Sequence, residues 1–259
     1  MVKICVSNEK GGCAKTTTSV NLSAILAERG YNVLLIDSDL QSYSTYYNQM
    51  KNDFEEVGLF DVMFGTAKFE ETVKSTKFGY DLLGTTEKLF KAEEELIYRK
   101  IQNKPYLNLF RDMLETIPKD KYDFVIVDCP SHNSYLLQNV QIACDNLIIP
   151  MIPDQYAPSS LTMKQKSITE IRRKYNPNLR ILGSLIVQYE KNPLIMLYTS
   201  IMKKNDFFRF FDTNVRKNID VKKALAYYEP VNKYNKRSKG NEDYQAVADE
   251  IIERCKNNG

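Results

Sequence analysis

Eight residues near the N-terminus, Lys10-Gly11-Gly12-Cys13-Ala14-Lys15-Thr16-Thr17, place two lysines, four small residues and two hydroxyls in one short stretch. Small residues let consecutive backbone N–H groups wrap a phosphate chain, and a helix beginning there adds its positive N-terminus. Lys15 can then reach the terminal phosphates, and the Thr16 hydroxyl can ligate Mg²⁺. Carboxylates stand at the ends of two apolar runs. Asp37 and Asp39 follow Val33-Leu34-Leu35-Ile36 at i and i+2, and Asp128 ends Phe124-Val125-Ile126-Val127. One aspartate after a strand is ordinary turn chemistry, whereas three beside a phosphate loop supply what a phosphoryl-transfer site requires.

These groups need elements to hold them. Val2 to Ser7 reads as a strand, Asn8 to Ala14 as a turn, Lys15 to Arg29 as a helix with Gly30 as its C-cap, and Val33 to Ile36 as a second strand. Further strands are expected at Phe124–Asp128, Leu147–Ile152 and Ile181–Val187, and another at Tyr80–Leu83. Helices are expected at Glu93–Ile101, Leu107–Thr116, Tyr135–Ala143, Ser159–Tyr175 and Glu242–Lys256. Strands apolar on both faces belong to parallel sheets covered by helices. The expected fold is therefore α/β, a doubly wound, mostly parallel twisted sheet flanked by helices on both faces, in a single domain spanning 1–259.

Composition narrows the class. The 259 residues are 43% hydrophobic and 27% charged, an ordinary globular balance. No apolar run reaches the length of a membrane span, and the N-terminus lacks the h-region of a secretory signal, so a cytoplasmic protein is expected. Five scattered cysteines without a Cys-x-x-Cys give neither a disulfide framework nor a zinc site, and His132 is the only histidine. The net charge of +3 hides an asymmetry, because Lys164 to Gly240 holds 18 basic and 6 acidic residues while the remainder holds 18 and 27. A basic third points to a polyanionic partner.

Lys10-Gly11-Gly12-x-x-Lys15-Thr16-Thr17 resembles the deviant Walker A box of the ParA/MinD ATPases, marked by the lysine at its start. Asp37-Ser38-Asp39-Leu40-Gln41 resembles the family's Asp-x-Asp-Pro-Gln element, and Val125-Ile126-Val127-Asp128-Cys129-Pro130-Ser131 its Walker B strand. Pro150-x-x-Pro153-Asp154-x-Tyr156 and Ser238-Lys239-Gly240-x-x-x-Tyr244 extend the likeness to late segments of the partition ParA proteins. The resemblance implies ATP and Mg²⁺ as cofactors, an ATP-dependent sandwich homodimer, non-specific binding of double-stranded DNA, and slow hydrolysis stimulated by a centromere-binding, ParB-like adaptor. It implies a nucleoid-associated protein that segregates a plasmid or chromosome. Gly11 to Thr17 would cradle the phosphates, with Lys15 on the β- and γ-phosphates and Thr17 on the α-phosphate. Thr16, Asp37 and Asp128 would serve the metal, Asp39 would orient water, and Lys10 would reach the partner subunit's nucleotide.

The basic residues Lys203, Lys204, Arg216, Lys217, Lys222, Lys223, Lys233, Lys236, Arg237 and Lys239 are candidate DNA-phosphate contacts. Phe207-Phe208-x-Phe210-Phe211 reads as core or dimer packing. Three departures from the family pattern carry expectations of their own. Ala14 stands where relatives have glycine, which predicts altered loop geometry and weaker ATP affinity or turnover. Leu40 replaces a proline, loosening a turn, and Leu225 stands near the expected adenine pocket in place of another proline. Alternatives are a MinD-like positioning ATPase and a nucleotide-gated DNA-binding or scaffold protein with little turnover. The first expects a membrane helix beyond the closing helix, where only a few residues remain, so no membrane partner is expected. Nitrogenase-type iron proteins are disfavoured because the cysteines do not match their cluster ligands, and bacterial tyrosine kinases because no tyrosine follows Tyr244.

Overall fold

A computed structural model describes residues 1–256, with residues 51 and 157–159 described by backbone alone. Seven strands form one sheet: β1 (Val2–Val6), β2 (Val33–Asp37), β3 (Lys74–Ser75), β4 (Asp81–Leu83), β5 (Phe124–Asp128), β6 (Asn146–Met151) and β7 (Arg180–Ile186). Their order across the sheet is β3-β4-β2-β5-β1-β6-β7, and every pairing is parallel except β3 with β4. The helices are α1 (Lys15–Glu28), α2 (Tyr43–Tyr47), α3 (Leu59–Met63), α4 (Phe69–Thr72), α5 (Ala92–Ile101) and α6 (Leu109–Glu115), followed by α7 (Tyr135–Ala143), α8 (Ala157–Lys174), α9 (Pro193–Lys203), α10 (Ile219–Ala226), α11 (Val231–Tyr234) and α12 (Lys239–Lys256).

Alternation along the central strands feeds two cores. Cys5, Leu34, Ile36, Val125 and Val127 face one side, packing with Leu96, Phe110, Val140 and Ile168 of α5 to α8. Ile4, Val6, Leu35, Phe124 and Ile126 face the other, against Leu22, Ile25, Val247 and Ile251 of α1 and α12. The doubly wound sheet expected from the sequence is thus observed, with the ends of the expected strands displaced by at most one residue. Phe208 and Phe211 are fully buried, as the packing interpretation of the aromatic run requires.

Helix α1 carries little apolar contrast because it is buried on nearly every side. Its small polar side chains bond to the preceding turn: Ser19 and Ser23 donate to Lys15 and Ser19 carbonyls at 3.0 and 2.8 Å, and the Asn21 amide to Thr17 at 2.7 Å. Bonding to the helix's own carbonyls lets these residues pack tightly against the sheet. At the sheet's margins, β3 is a two-residue antiparallel edge. Beyond β7, Phe210 bridges Ser184 and Arg216 bridges Tyr189.

Candidate functional site

Because β1 lies between β5 and β6, the loop leaving it opens at the middle of the carboxyl edge of the sheet, the position where open α/β sheets bind ligands. Parallel register aligns Val6 with Asp128 and Asp37 with Asp128, which sets two aspartates side by side at the ends of neighbouring strands. Both are fully buried. Asp37 accepts from the Thr45 backbone N–H at 2.7 Å, the Thr45 hydroxyl at 2.6 Å and the Asp39 N–H at 3.2 Å. Asp128 accepts from the Ser44 hydroxyl at 2.8 Å and the Ser19 hydroxyl at 3.4 Å, and the Thr16 hydroxyl bonds to it as well. Burial raises the pKa of both carboxyls, and the neighbouring Asp128 charge raises that of Asp37 further. A cation placed here would reverse that penalty.

The loop itself is preorganised. Gly12 and Ala14 both have positive φ, 73° and 62°, the kind of backbone that turns successive N–H groups toward an anion. Ala14 precedes α1 without any side-chain cap, and the first intrahelical bond is Thr18 N–H to Ala14 at 2.9 Å. The N–H groups of Lys15, Thr16 and Thr17 therefore have no acceptor within the helix. Ala14 adopts the left-handed conformation that glycine takes freely, so the loop keeps a glycine-type backbone in place of the altered geometry expected from the sequence, at a strain of about 1–2 kcal/mol.

A cleft of about 470 Å³ lies over this loop, a size suited to a small-molecule ligand. It is lined by Gly12 to Thr17 and Asp39, and by Val187, Val215, Val221, Leu225 and Tyr244. Lys15 projects to the Ser131 hydroxyl at 2.7 Å. Asp39 folds over Gln41, accepting its N–H at 3.0 Å, and is nearly buried. Leu225 is where the departure from proline placed it, on the cleft wall. Gly11 is exposed and outside the lining. Lys10 is likewise outside, because its ammonium pairs with Asp154 of the same chain.

Ser131, Ser44 and Thr45 were not singled out from the sequence, although Ser131 follows Asp-Cys-Pro and all three hydroxyls hold the charged groups in place. Tyr43 and Tyr46 of α2, with Asn218 and Tyr228, also line the cleft and carried no spacing signal.

The basic candidates separate into groups. Arg216, Lys217 and Lys222 form part of the cleft wall. Arg216 is clasped by Asp243 and Glu242, which raises its pKa, Lys217 pairs with Glu190 and Lys239 with Glu242. Lys233 and Lys236 share Glu28. Lys203 turns inward to the Phe211 and Asp212 carbonyls at 2.9 and 3.3 Å, away from any surface anion. Lys204, Lys222, Lys223 and Arg237 are exposed and make no ion pair among the described residues.

Comparison with known proteins agrees with this geometry. The family described as an AAA domain matches residues 1–181. The chromosome partitioning protein ParA of Myxococcus xanthus is 28% identical over 254 residues, covering 97% of this chain and 88% of that protein. The sporulation initiation inhibitor protein Soj of Bacillus subtilis is 30% identical over 254 residues, covering 96% and 97%. Among solved structures, cobyrinic acid a,c-diamide synthase of Mycobacterium smegmatis with bound ADP and magnesium superposes with a TM-score of 0.86 at 24% identity, covering 100% of this chain and 97% of that one.

Proposed function

The chain belongs to the ParA/MinD-type P-loop ATPases, and from that premise we propose that it is an ATP-driven DNA-partition protein acting as one domain over 1–259. The observation that carries the proposal is the conjunction at the β1 loop: an uncapped helix start, Lys15 reaching over it, and paired buried carboxylates at the adjoining strand ends.

Backbone N–H groups of Gly12 to Thr17 and the Lys15 ammonium bind the triphosphate, with Thr17 at the α-phosphate end. The metal-binding residues are of the type Mg²⁺ selects: a hydroxyl at Thr16 and a carboxylate at Asp128, both oxygen donors. No cluster of three His, Cys, Asp or Glu among the described residues could hold a metal alone, which suits an ion that keeps water and phosphate oxygens as ligands. Asp37, already satisfied by Thr45 and the Asp39 N–H, acts behind the metal by fixing the loop that carries Asp39. When bound, Mg²⁺ neutralises charge on the transferred phosphoryl group. Asp39 orients the attacking water, a role that positioning alone satisfies because phosphoryl transfer needs no strong base. Lys10, released from Asp154, completes the partner subunit's site, so hydrolysis follows dimerisation.

Lys204, Lys222, Lys223 and Arg237 supply the DNA-phosphate contacts, joined by those of the paired lysines that exchange a carboxylate for phosphate. A ParB-like adaptor stimulates hydrolysis and releases the protein from the nucleoid. No described helix is long and apolar enough to cross a membrane.

Gel filtration and DNA retention with and without ATP and Mg²⁺ test the proposal. Nucleotide must promote both dimerisation and retention, and Lys15→Ala must abolish both. Equal behaviour in the two conditions overturns it.

A further inference from the structure

Lys164, on α8, has a buried ammonium that makes no hydrogen bond. Its nearest counter-charge is a Glu9 carboxylate oxygen at 3.8 Å. The two residues face a cavity of about 120 Å³, which Asn8, Lys10, Asp154 and Ser160 also line. On the other side, Lys164 lies close enough to Cys13, Cys129 and Lys15 to interact with them electrostatically. Burial lowers its pKa, while Glu9 opposes that shift. This cation therefore sits beneath the first limb of the phosphate loop, beside the pair that holds Lys10.

A lysine packed this way is poorly compensated: a buried charge with one loosely placed counter-charge and no hydrogen bond costs free energy that an apolar side chain of similar volume avoids. Its place in the fold is explained by what surrounds it. The cavity contains two carboxylates, Glu9 and Asp154, and two ammonium groups, Lys10 and Lys164. If Lys10 leaves to reach another nucleotide, Lys164 is the only one of the two cations left to face both acids.

We propose that Lys164 is a positioning residue for Lys10: it restrains the Asn8–Lys10 limb through Glu9 and remains as the counter-charge for Asp154 when Lys10 departs. This rests on the assignment of Lys10 to hydrolysis made above. Lys164 touches neither nucleotide nor metal in this scheme, so its removal should affect turnover and leave nucleotide capture intact. Methionine keeps the length and apolar stem, which separates the charge from mere filling of space.

The test uses the full chain, with binding of a fluorescent ATP analogue, steady-state phosphate release and thermal melting measured for each variant. Lys164→Met is expected to melt no lower than the parent, to bind the analogue within about twofold, and to lose about tenfold or more in kcat, the scale typical of supporting-shell changes. Glu9→Gln, a change at an exposed side chain, should lower kcat in the same direction, and the double variant should lose less than the product of the two single losses. A kcat within about twofold of the parent for Lys164→Met, or for Glu9→Gln if Lys164→Met does not fold, overturns the inference. Lys10→Ala is the control: retained turnover there refutes the assignment of Lys10 itself, whereas lost turnover there with retained turnover in Lys164→Met refutes only the role of Lys164.

Discussion

Gly240, in the first turn of α12, packs directly against α10, whose Val221, Lys222 and Leu225 line the cleft. A Cβ built there would lie 2.4 Å from Cγ2 of Val221, on α10, and 3.4 Å from Cβ and Cγ of Asn218, the residue that caps α10. Val221 is β-branched and cannot swing away as a long flexible chain would. Carbon atoms rest about 3.5–4.0 Å apart at their energy minimum, so Gly240→Ala must displace α10 by roughly an ångström or strain Val221. Overpacking of this kind typically costs about 1–3 kcal/mol. Against it stands the better helix propensity of alanine, up to about 1 kcal/mol, leaving a net loss of about 0–2 kcal/mol. In a protein of this size that lowers Tm by at most about 8 °C. Val221, Lys222 and Leu225 all line the cleft, so nucleotide affinity should fall as well. The decisive assay is a double-mutant cycle with Val221→Ala, which removes the clashing methyl. Chemical denaturation should give a coupling of about 1–3 kcal/mol, and the double variant should regain nucleotide affinity relative to Gly240→Ala. A coupling under about 0.5 kcal/mol, the usual scatter for independent sites, would refute the argument that glycine is there for close approach.

Ala14→Gly exchanges about 1–2 kcal/mol of left-handed strain for about 0.4–1 kcal/mol of added freedom in the unfolded chain. Thermal melting should therefore show a small rise of about 1–3 °C, with ATP affinity equal or better; a clear fall in either would show that the Ala14 methyl packs more than it strains. Thr45→Ala removes the hydroxyl that donates to buried Asp37 at 2.6 Å, and urea titration should register a loss of about 1–3 kcal/mol, largely restored by Thr45→Ser. The double reversal Lys222→Glu/Lys223→Glu should weaken DNA retention equally on unrelated sequences. It should also flatten the plot of log affinity against log salt by about 2, at roughly 0.9 for each phosphate no longer neutralised. A sequence-dependent loss would point to base contacts.

The parts of the fold visible in the sequence were those governed by one strong local rule. Phe124 to Val127 is apolar at every position, and only a strand covered on both faces suits that run, so β5 and the place of Asp128 followed. The helices α2 to α4 and α11 were missed because each is at most five residues long, and α9 and α10 because several of their large apolar residues, such as Leu194, Leu197 and Ile219, are exposed and so do not mark a core-facing stripe. β3 is too short to show alternation. The phosphate loop was legible because its function depends on backbone groups, which leave a signature of small residues. Its supports were not: Ser131, Ser44 and Thr45 are ordinary hydroxyl residues until the fold brings them to Lys15, Asp128 and Asp37. Charge counting found the basic third, but could not separate Lys203, spent on backbone carbonyls, from exposed Lys204 beside it.

The margins of the sheet restrict how copies of this chain can associate. An open edge strand offers a ladder on which another chain can extend the sheet, and proteins concentrated on a shared scaffold are especially exposed to that hazard. Here one border ends in the two-residue antiparallel β3, and the other is met by Phe210 and Arg216 from the following segments. Neither side offers a long template. In the DNA-bound state proposed above, copies crowded along the polyanion would therefore lack a long edge on which to extend the sheet, and a higher-order array would draw on helices and loops instead.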